Sequence, residues 1–325
     1  MFEIIQGGGV TTALGFKAGA VSAGLKMETG VLDMGLLVSD MRAAVAATFT
    51  TNSIESPSVT VSRRRLKKGY TRGVIANSGC ANCAVGSQGL LDAEEMSSLA
   101  AASIGVESDE LFVASTGMIG VELPMALIRQ NMGNIVLTES GGTDFSKSIM
   151  TTDSHNKEIA VSFTVDGKSA RLGGAAKGVG MIHPNMATML CFMTTDANVE
   201  PQFLQDSLSE AVGGSFNMID VDGDQSTNDT VIILANGASG SSIIEKDTDA
   251  AMAFTEALRY VTTELAKELV RDGEGAQRLM EVMVEGALTS EEAKKAARSV
   301  VSSLLVKSML HGQDPNWGRI MMAIG

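Results

Sequence analysis

Residues 173–197 read GGAAKGVGMIHPNMATMLCFMTTDA, and this stretch decides how the rest of the chain is interpreted. A glycine-rich segment leads to Pro184, and the apolar run 188–195 that follows is typical of a buried strand. On the simplest interpretation a loop feeds a core strand, and Thr188 is only its β-branched first residue. A strand of this kind predicts an α/β or α+β fold if helical patterns alternate with strands in the flanking sequence.

Strand and helix patterns do alternate on both sides of that stretch. A capping box of Asp92 and Glu95, and a second cap at Thr289 with Glu292, mark helix starts, and 166–167 predicts a tight hairpin. The predicted strands are 46–52, 58–62, 72–77, 111–115, 158–165, 169–172, 188–195, 216–220 and 230–235. The predicted helices are 92–104, 122–132, 201–212, 250–271 and 289–309. We therefore expect an α/β protein.

Length and composition restrict the class of protein further. A chain of 325 residues corresponds to about two domains, which we place at 1–197 and 198–325. The formal charge of −13 argues against a nucleic-acid partner and against anionic membranes. No apolar run approaches the roughly 20 residues of a membrane span. The N-terminus has no signal-peptide pattern, and three cysteines do not make a disulfide framework, so we expect a cytoplasmic protein.

Partial matches to ligand-binding motifs are rejected. The sequence at 166–169 ends like a phosphate-binding loop, but Ser162 stands where the first glycine is required. The sequence at 220–231 resembles a calcium loop, but Gln225 and Val231 replace its essential Gly and Glu. The pair Cys80 and Cys83 has metal-ligand spacing but no second pair to complete a zinc site. We predict no metal site.

A second interpretation makes Thr188 an N-terminal nucleophile. The hydroxyl of a Thr at a strand start, after a constrained loop, can attack the carbonyl of the preceding Ala187. Hydrolysis of the resulting ester leaves Thr188 as a new N-terminus, and its α-amine, with a pKa near ~8, acts as base for its own hydroxyl. This chemistry needs no histidine, which suits a chain that has only three.

The stretch around Thr188 resembles the self-cleavage region of the ornithine acetyltransferase (glutamate N-acetyltransferase) family of arginine biosynthesis. The resemblance rests on the run from Lys177 through Ala187-Thr188-Met189 to Thr195-Asp196-Ala197. It extends over essentially the whole chain, because further blocks match the family in order. These blocks are 15–17, 77–82, 115–120, 150–153, 222–229, 271–276 and 314–319.

The resemblance implies a role for particular residues. Thr188 is similar to the nucleophile that takes the acetyl group, and the Ala187–Thr188 bond to the bond that is cut. Thr116 and Gly117 are similar to the donors of the oxyanion hole. The substrate contacts implied by the resemblance are Thr151, Lys177, Thr188 and Glu274. Lys177 suits the α-carboxylate of an amino-acid substrate, and Glu274 suits an ammonium group.

The resemblance also implies a fold and a reaction. The fold is an N-terminal-nucleophile-like layered α/β fold with a second, smaller α/β domain. N-acetyl-ornithine acylates Thr188, ornithine leaves, and glutamate accepts the acetyl group in a ping-pong reaction. No cofactor is implied, although some family members also use acetyl-CoA as a donor. The cut chains 1–187 and 188–325 stay associated and are expected to pair into a heterotetramer.

One departure from the family leaves alternatives open. Family chains continue past the block at 314–319, and their tails bring an Asn and a Thr into the substrate pocket, so we expect this sequence to be C-terminally truncated. One alternative is an N-terminal-nucleophile amidase or aminopeptidase that uses Thr188 with water as the acceptor. Another is an inactive member that keeps the fold without the activity.

Overall fold

The structure is a computed structural model, and it describes residues 2–183 and 189–325. The predicted cleavage site at Ala187–Thr188 lies outside the described residues. Strands in the described ranges are β1 Phe2–Ile5, β2 Phe16–Val21, β3 Met34–Phe49, β4 Tyr70–Asn77, β5 Leu111–Ser115, β6 Lys157–Val165, β7 Lys168–Lys177, β8 Leu190–Thr195 and β9 Thr230–Ala235. Helices there are α1 Pro57–Leu66, α2 Gln88–Ile104, α3 Met125–Asn131, α4 Gly142–Ser148, α5 Pro201–Gly214, α6 Asp249–Arg271, α7 Ser290–Val301, α8 Leu304–His311 and α9 Trp317–Ile324. Short 3-10 helices lie at Ser108–Glu110, Met132–Asn134 and Phe216–Met218.

The strands form one mixed sheet in the order β1-β6-β7-β8-β9-β3-β4-β5, with β2 paired to β3. The pairs β4–β5 and β8–β9 are parallel, and the other pairs are antiparallel. The long strand β3 reaches both halves of the sheet because its pairing with β4 is interrupted by a register shift between Val38 and Ala43. An irregularity of this kind bends a strand and lets it change partners.

Helices cover both faces of the sheet. The long helix α6 packs against β6 and β7, and α5 packs against β3, so Phe254, Leu258 and Leu265 are buried on one face. On the other face, α4 contributes Phe145, which meets Phe192 of β8 edge to face at 5.4 Å. Strands buried on both sides in this way form a layered α/β fold, as the sequence predicts.

Several predicted elements are confirmed. The hairpin between β6 and β7 turns at Asp166 and Gly167, whose φ angles of 47° and 78° are those of the expected tight turn. The helix predicted at 250–271 is α6, and the strands predicted at 111–115 and 230–235 are β5 and β9. Thr289 caps α7 by accepting a hydrogen bond from the N–H of Glu292 over 3.2 Å.

Other predicted elements are wrong. Residues 58–62 are β-branched in part, but they lie in helix α1, because Ser56 caps its N-terminus and Pro57 occupies the first turn. The predicted strand at 216–220 contains a 3-10 helix instead. Asp92 does not start a helix, since α2 begins one turn earlier at Gln88. The helix predicted to run to 309 ends at Val301, and α8 follows it.

The predicted domain boundary at residue 197 falls between β8 and α5. Strand β9 lies beyond that boundary, yet it pairs with β8 and with β3, so segments from both sides build the same sheet. The division at residue 197 stays a prediction. None of the helices within 2–183 and 189–325 has the length and apolar character needed to span a bilayer.

Candidate active site

Thr116 and Gly117 form a rigid turn directly after β5. The Thr116 N–H donates to the carbonyl of Asn77 over 3.0 Å, which ties the turn to the end of β4. Gly117 has φ of +128°, and a Cβ there would lie 2.3 Å from the carbonyl carbon of Gly79. Only glycine fits this position. Because its N–H is already used, Thr116 has its hydroxyl as the remaining donor, and Gly117 has its N–H.

Lys177 is the last residue of β7 and points at this turn. Its side chain is buried, and Nζ donates a hydrogen bond of 3.1 Å to the Thr116 hydroxyl oxygen. Burial lowers the pKa of Lys177, while the charge of Asp153 opposes that effect. A buried ammonium needs anionic or polar partners, so a negatively charged group of a substrate would be favoured beside it.

A buried ion-pair network lies behind Lys177. Lys157 Nζ contacts Asp153 at 2.8 Å and Asp272 at 2.7 Å, and all three side chains are almost fully buried. Asp153 also accepts hydrogen bonds from the backbone N–H groups of Gly178, at 2.9 Å, and Thr151, at 3.0 Å. Burial alone would raise the pKa of Asp153, but the charges of Lys177 and Lys157 lower it, so the carboxylate stays ionised. The network fixes the backbone next to Lys177 and at Thr151.

Glu274 joins the same group of loops after α6. The hydroxyl of Thr152 donates to its carboxylate over 2.7 Å, and the Glu274 N–H donates to the carbonyl of Val179 over 2.8 Å. A Cβ at Gly180 would lie 2.9 Å from the Glu274 carboxyl carbon, so the loop after β7 passes close to this side chain. Thr151 and Glu274 therefore both lie on segments that contact residues 177–180.

Asp229 is a buried carboxylate that precedes β9. Its Oδ1 accepts a hydrogen bond of 3.1 Å from the N–H of Met189, and its backbone carbonyl accepts one of 3.0 Å from Thr50. Its Oδ2 is buried as well. Burial raises the pKa of Asp229 well above its ordinary value, and hydrogen bonds from the Met189 N–H and the Ser226 and Thr50 hydroxyls, together with the charge of Lys177, only partly oppose this.

The loop before β9 is also joined to the predicted oxyanion turn. The Asn228 amide donates to the carbonyls of Ala81, at 2.7 Å, and Ser115, at 2.8 Å. Residues 222–229 match the family as a block, and the sequence predicts no role for Asn228 or Asp229 within it. Their position beside the turn follows from the parallel pairing of β8 with β9, which a sequence alone does not reveal.

The structure brings most of the predicted site residues together. Thr116, Gly117 and Lys177 lie together. Thr151 adjoins them through its hydrogen bond to Asp153, and Glu274 adjoins them through its contacts with Thr152 and the backbone of Val179. Ala187 and Thr188 lie outside the described residues, but β8 begins two residues after Thr188 and leaves the same region. No group of three or more His, Cys, Asp and Glu side chains suited to a metal ion occurs in the part of the chain that the structure describes.

The layered α/β fold is shared with known proteins. The ornithine acetyltransferase of Mycobacterium tuberculosis, solved in complex with ornithine, matches with a TM-score of 0.53 and 30% identity over 58% of this chain and 100% of that chain. This match confirms the fold predicted from the sequence. An arginine biosynthesis bifunctional protein ArgJ of Dehalococcoides mccartyi is 46% identical over 324 residues, covering 99% of this chain and 80% of the relative.

A glutamate N-acetyltransferase of Methanocaldococcus jannaschii is also 46% identical over 324 residues, covering 98% of this chain and 78% of the relative. The sequence profile of the ArgJ family matches residues 17–325. The chain belongs to the ArgJ family, and the resemblance to ornithine acetyltransferases is confirmed.

Proposed function

We propose that this chain is a glutamate N-acetyltransferase, which moves an acetyl group from N-acetyl-ornithine to glutamate through an acetyl-Thr188 intermediate. The observation that carries the proposal is the contact between Lys177 and Thr116. It joins a buried cation to a rigid turn that offers a hydroxyl and an N–H, in a chain of the ArgJ family. A cation beside two fixed donors suits an amino-acid carboxylate next to a developing oxyanion.

The proposal begins with cleavage of the chain by its own residue. The Thr188 hydroxyl attacks the Ala187 carbonyl carbon, the peptide nitrogen leaves as the amine of Thr188, and an ester forms. Water then hydrolyses the ester, which gives the Ala187 carboxylate and restores the hydroxyl. The solved Mycobacterium chain supports this step, because it is matched over 100% of its length yet covers only 58% of this chain. That share of 325 residues is about 188, close to the length of segment 1–187.

Acetyl transfer follows at the freed N-terminus. The α-amine of Thr188 takes the hydroxyl proton as the oxygen attacks the acetyl carbonyl of N-acetyl-ornithine. The Thr116 hydroxyl and the Gly117 N–H bind the oxyanion, Lys177 binds the substrate α-carboxylate, and Thr151 and Glu274 bind the rest of the amino acid. The proton passes to the departing ornithine nitrogen. The amine of glutamate then attacks the acetyl-Thr188 ester, takes the acetyl group and restores the Thr188 hydroxyl.

The sheet explains how two cut chains would remain one molecule. Strand β7 precedes the proposed cut and β8 follows it, and the two pair along residues 172–177 and 190–195. Strand β9 adds pairing between the second chain and β3 of the first. From the family resemblance we also propose a heterotetramer in the cytoplasm, with no cofactor and with acetyl-CoA as a second acetyl donor. Native mass spectrometry tests the assembly.

An acetyl-transfer assay tests the function. Purified protein is mixed with N-acetyl-ornithine and isotope-labelled glutamate, and we expect labelled N-acetylglutamate and one acetyl group on chain 188–325 by intact mass. The variant Thr188→Ala controls for contaminating enzymes, and it should show neither product nor cleavage. Release of free acetate without N-acetylglutamate would contradict the proposal and favour a hydrolase. An uncut, inactive wild-type chain would favour the inactive alternative.

A further inference from the structure

Lys26 is a second cation beside the predicted oxyanion turn, and the proposed reaction gives it no role. Its side chain is half-buried, and Nζ donates a hydrogen bond of 3.1 Å to the carbonyl of Leu32, which is a neutral acceptor. An ammonium group has three N–H donors, so Lys26 can bind a carboxylate at the same time.

A buried aspartate fixes the backbone at Lys26. The Asp33 carboxylate accepts hydrogen bonds from the N–H groups of Ala23, Leu25 and Lys26, at 2.7, 2.6 and 3.1 Å. The Asp33 carbonyl in turn accepts the N–H of Ser78 over 2.8 Å. The loop that carries Lys26 is therefore wound around Asp33 and joined to the chain that follows β4.

Two glycines bring that loop against the oxyanion turn. A Cβ at Gly79 would lie 2.5 Å from the carbonyl oxygen of Leu25 and 3.2 Å from the nitrogen of Lys26. A Cβ at Gly117 would lie 2.3 Å from the carbonyl carbon of Gly79. The backbone at Gly79 is therefore packed between those of Lys26 and Gly117, so Lys26 lies one segment away from the oxyanion turn.

The charge of Lys26 also acts on the buried network. Burial lowers the pKa of Lys26, and the charges of Asp33, Asp153 and Glu28 partly oppose this effect. Burial lowers the pKa of Lys177 too, and the charge of Lys26 contributes to that lowering. Lys26 and Lys177 are therefore near enough to repel each other, and an anionic ligand beside them would be favoured by both.

The proposed reaction calls for such a cation. N-acetyl-ornithine and glutamate share an α-carboxylate, for which Lys177 is proposed, but their side chains end in an ammonium and a carboxylate. Glu274 suits the ammonium and repels the carboxylate. The ammonium of Lys157 is already bound by two carboxylates and a backbone carbonyl. A site that takes both amino acids needs a further positive group for the side chain of glutamate.

Resting on the proposed function, we propose that Lys26 is a specificity-determining residue whose ammonium binds the side-chain carboxylate of the acceptor glutamate. Lys177 and Lys26 then hold the two carboxylates of one acceptor, which orients its amine for attack on the acetyl ester. The ammonium side chain of ornithine gains nothing from Lys26. Lys26 therefore acts in the second half of the ping-pong reaction, in which glutamate takes the acetyl group, and not in the first.

The test compares glutamate with glutamine as acceptors, because glutamine has the same shape but no side-chain charge. Acetyl transfer from N-acetyl-ornithine to each acceptor is measured in the wild type, Lys26→Met and Lys26→Arg. In the wild type we expect kcat/KM for glutamate to exceed that for glutamine by about tenfold or more. In Lys26→Met we expect the KM for glutamate to rise by about the same factor, so that the preference is lost, with no rise in the KM for N-acetyl-ornithine. Lys26→Arg keeps the charge and should keep the preference.

A matched control removes a lysine elsewhere. The exposed Lys67 lies before the start of β4, whereas the contact between Gly79 and Lys26 lies beyond its end, so Lys67→Met should leave the preference for glutamate unchanged. A Lys26→Met variant that merely disturbs the loop would raise the KM of both acceptors alike and keep the preference, and that result would overturn the inference.

Two further outcomes are decisive. If Lys26→Met does not fold, the wild type decides alone, and a wild-type protein that acetylates glutamine as well as glutamate overturns the inference. If the wild type acetylates neither acceptor, the proposed function fails and this inference fails with it. A wild type that acetylates glutamate while Lys26→Met keeps its selectivity overturns only the inference, so the two failures are distinguished.

Discussion

The ammonium nitrogen of Lys177 lies 3.1 Å from the hydroxyl oxygen of Thr116, although Lys177 ends β7 and Thr116 follows β5, two strands far apart in the strand order of the sheet. Strands β8, β9, β3 and β4 separate β7 from β5 in the strand order. The contact therefore spans the sheet instead of joining neighbouring strands, and it forms where β7 and β5 both end. A buried cation and the predicted oxyanion turn meet only because the sheet brings these two strand ends together.

The Thr116 hydroxyl is expected to act on the transition state. Thr116→Val keeps the size of the side chain but removes the donor, so we expect kcat to fall by about 10²–10³-fold with KM little changed. Thr116→Ser restores a hydroxyl and should recover most of the activity. Steady-state acetyl transfer measures both variants. A valine variant with wild-type kcat would exclude a role for this hydroxyl.

Gly117 is expected to be irreplaceable for steric reasons. Gly117→Ala would place a Cβ 2.3 Å from the carbonyl carbon of Gly79, at a φ of +128°. We expect the turn to shift, with kcat reduced more than about tenfold and a lower melting temperature. Gly120→Ala is the control in the same loop, since its φ is also positive at +82° but a Cβ there meets nothing within 4 Å. Equal effects of the two substitutions would contradict the steric account.

The buried pairs of Lys157 are expected to dominate the stability of the site. Lys157→Met leaves the carboxylates of Asp153 and Asp272 buried without their cation, and breaking such a pair costs about 3–5 kcal/mol. Lys17→Met breaks a comparable pair with Asp40 on the surface, where little change is expected. Urea denaturation compares the two variants. Similar unfolding free energies for the two variants would show that the buried pairs of Lys157 stabilise the fold no more than the surface pair of Lys17.

Acid should remove part of this stabilisation. The pKa of Asp153 is lowered in the folded chain, because Lys177 and Lys157 outweigh the effect of burial. A carboxyl with a lowered folded pKa stabilises the fold above about pH 4, its unfolded pKa, and this contribution is lost as pH falls through the folded pKa. The unfolding free energy of the wild type should therefore exceed that of Asp153→Asn by a constant amount above about pH 5 and by less at lower pH. A difference that does not change with pH would contradict the assignment.

The fold was predictable where local signals were strong. The apolar residues of α6 recur with the helical period of 3.6, and the tight turn depends on the adjacent residues Asp166 and Gly167. Both signals are local in the sequence, and both elements are confirmed. The error at 58–62 arose because β-branched residues suggested a strand, whereas Ser56 and Pro57 start a helix. In this segment the helix N-cap determines the structure and the strand propensity of the β-branched residues does not.

The site was predictable only in part. Thr116, Gly117 and Lys177 were found because they lie in blocks that match a family. The pairing of Lys157 with Asp272 joins residues 115 positions apart, and that of Asp229 with Met189 joins residues 40 apart. No spacing rule predicts such contacts, since they depend on how the strands are ordered in the sheet.

N-terminal sequencing of the purified protein tests the central claim most directly. The account predicts two starts in equal amount, one at Met1 and one reading Thr-Met-Leu-Cys from Thr188, with the second absent in Thr188→Ala. A wild-type protein that yields the Met1 sequence alone would contradict the account, because no residue would then carry the free amine that the mechanism requires.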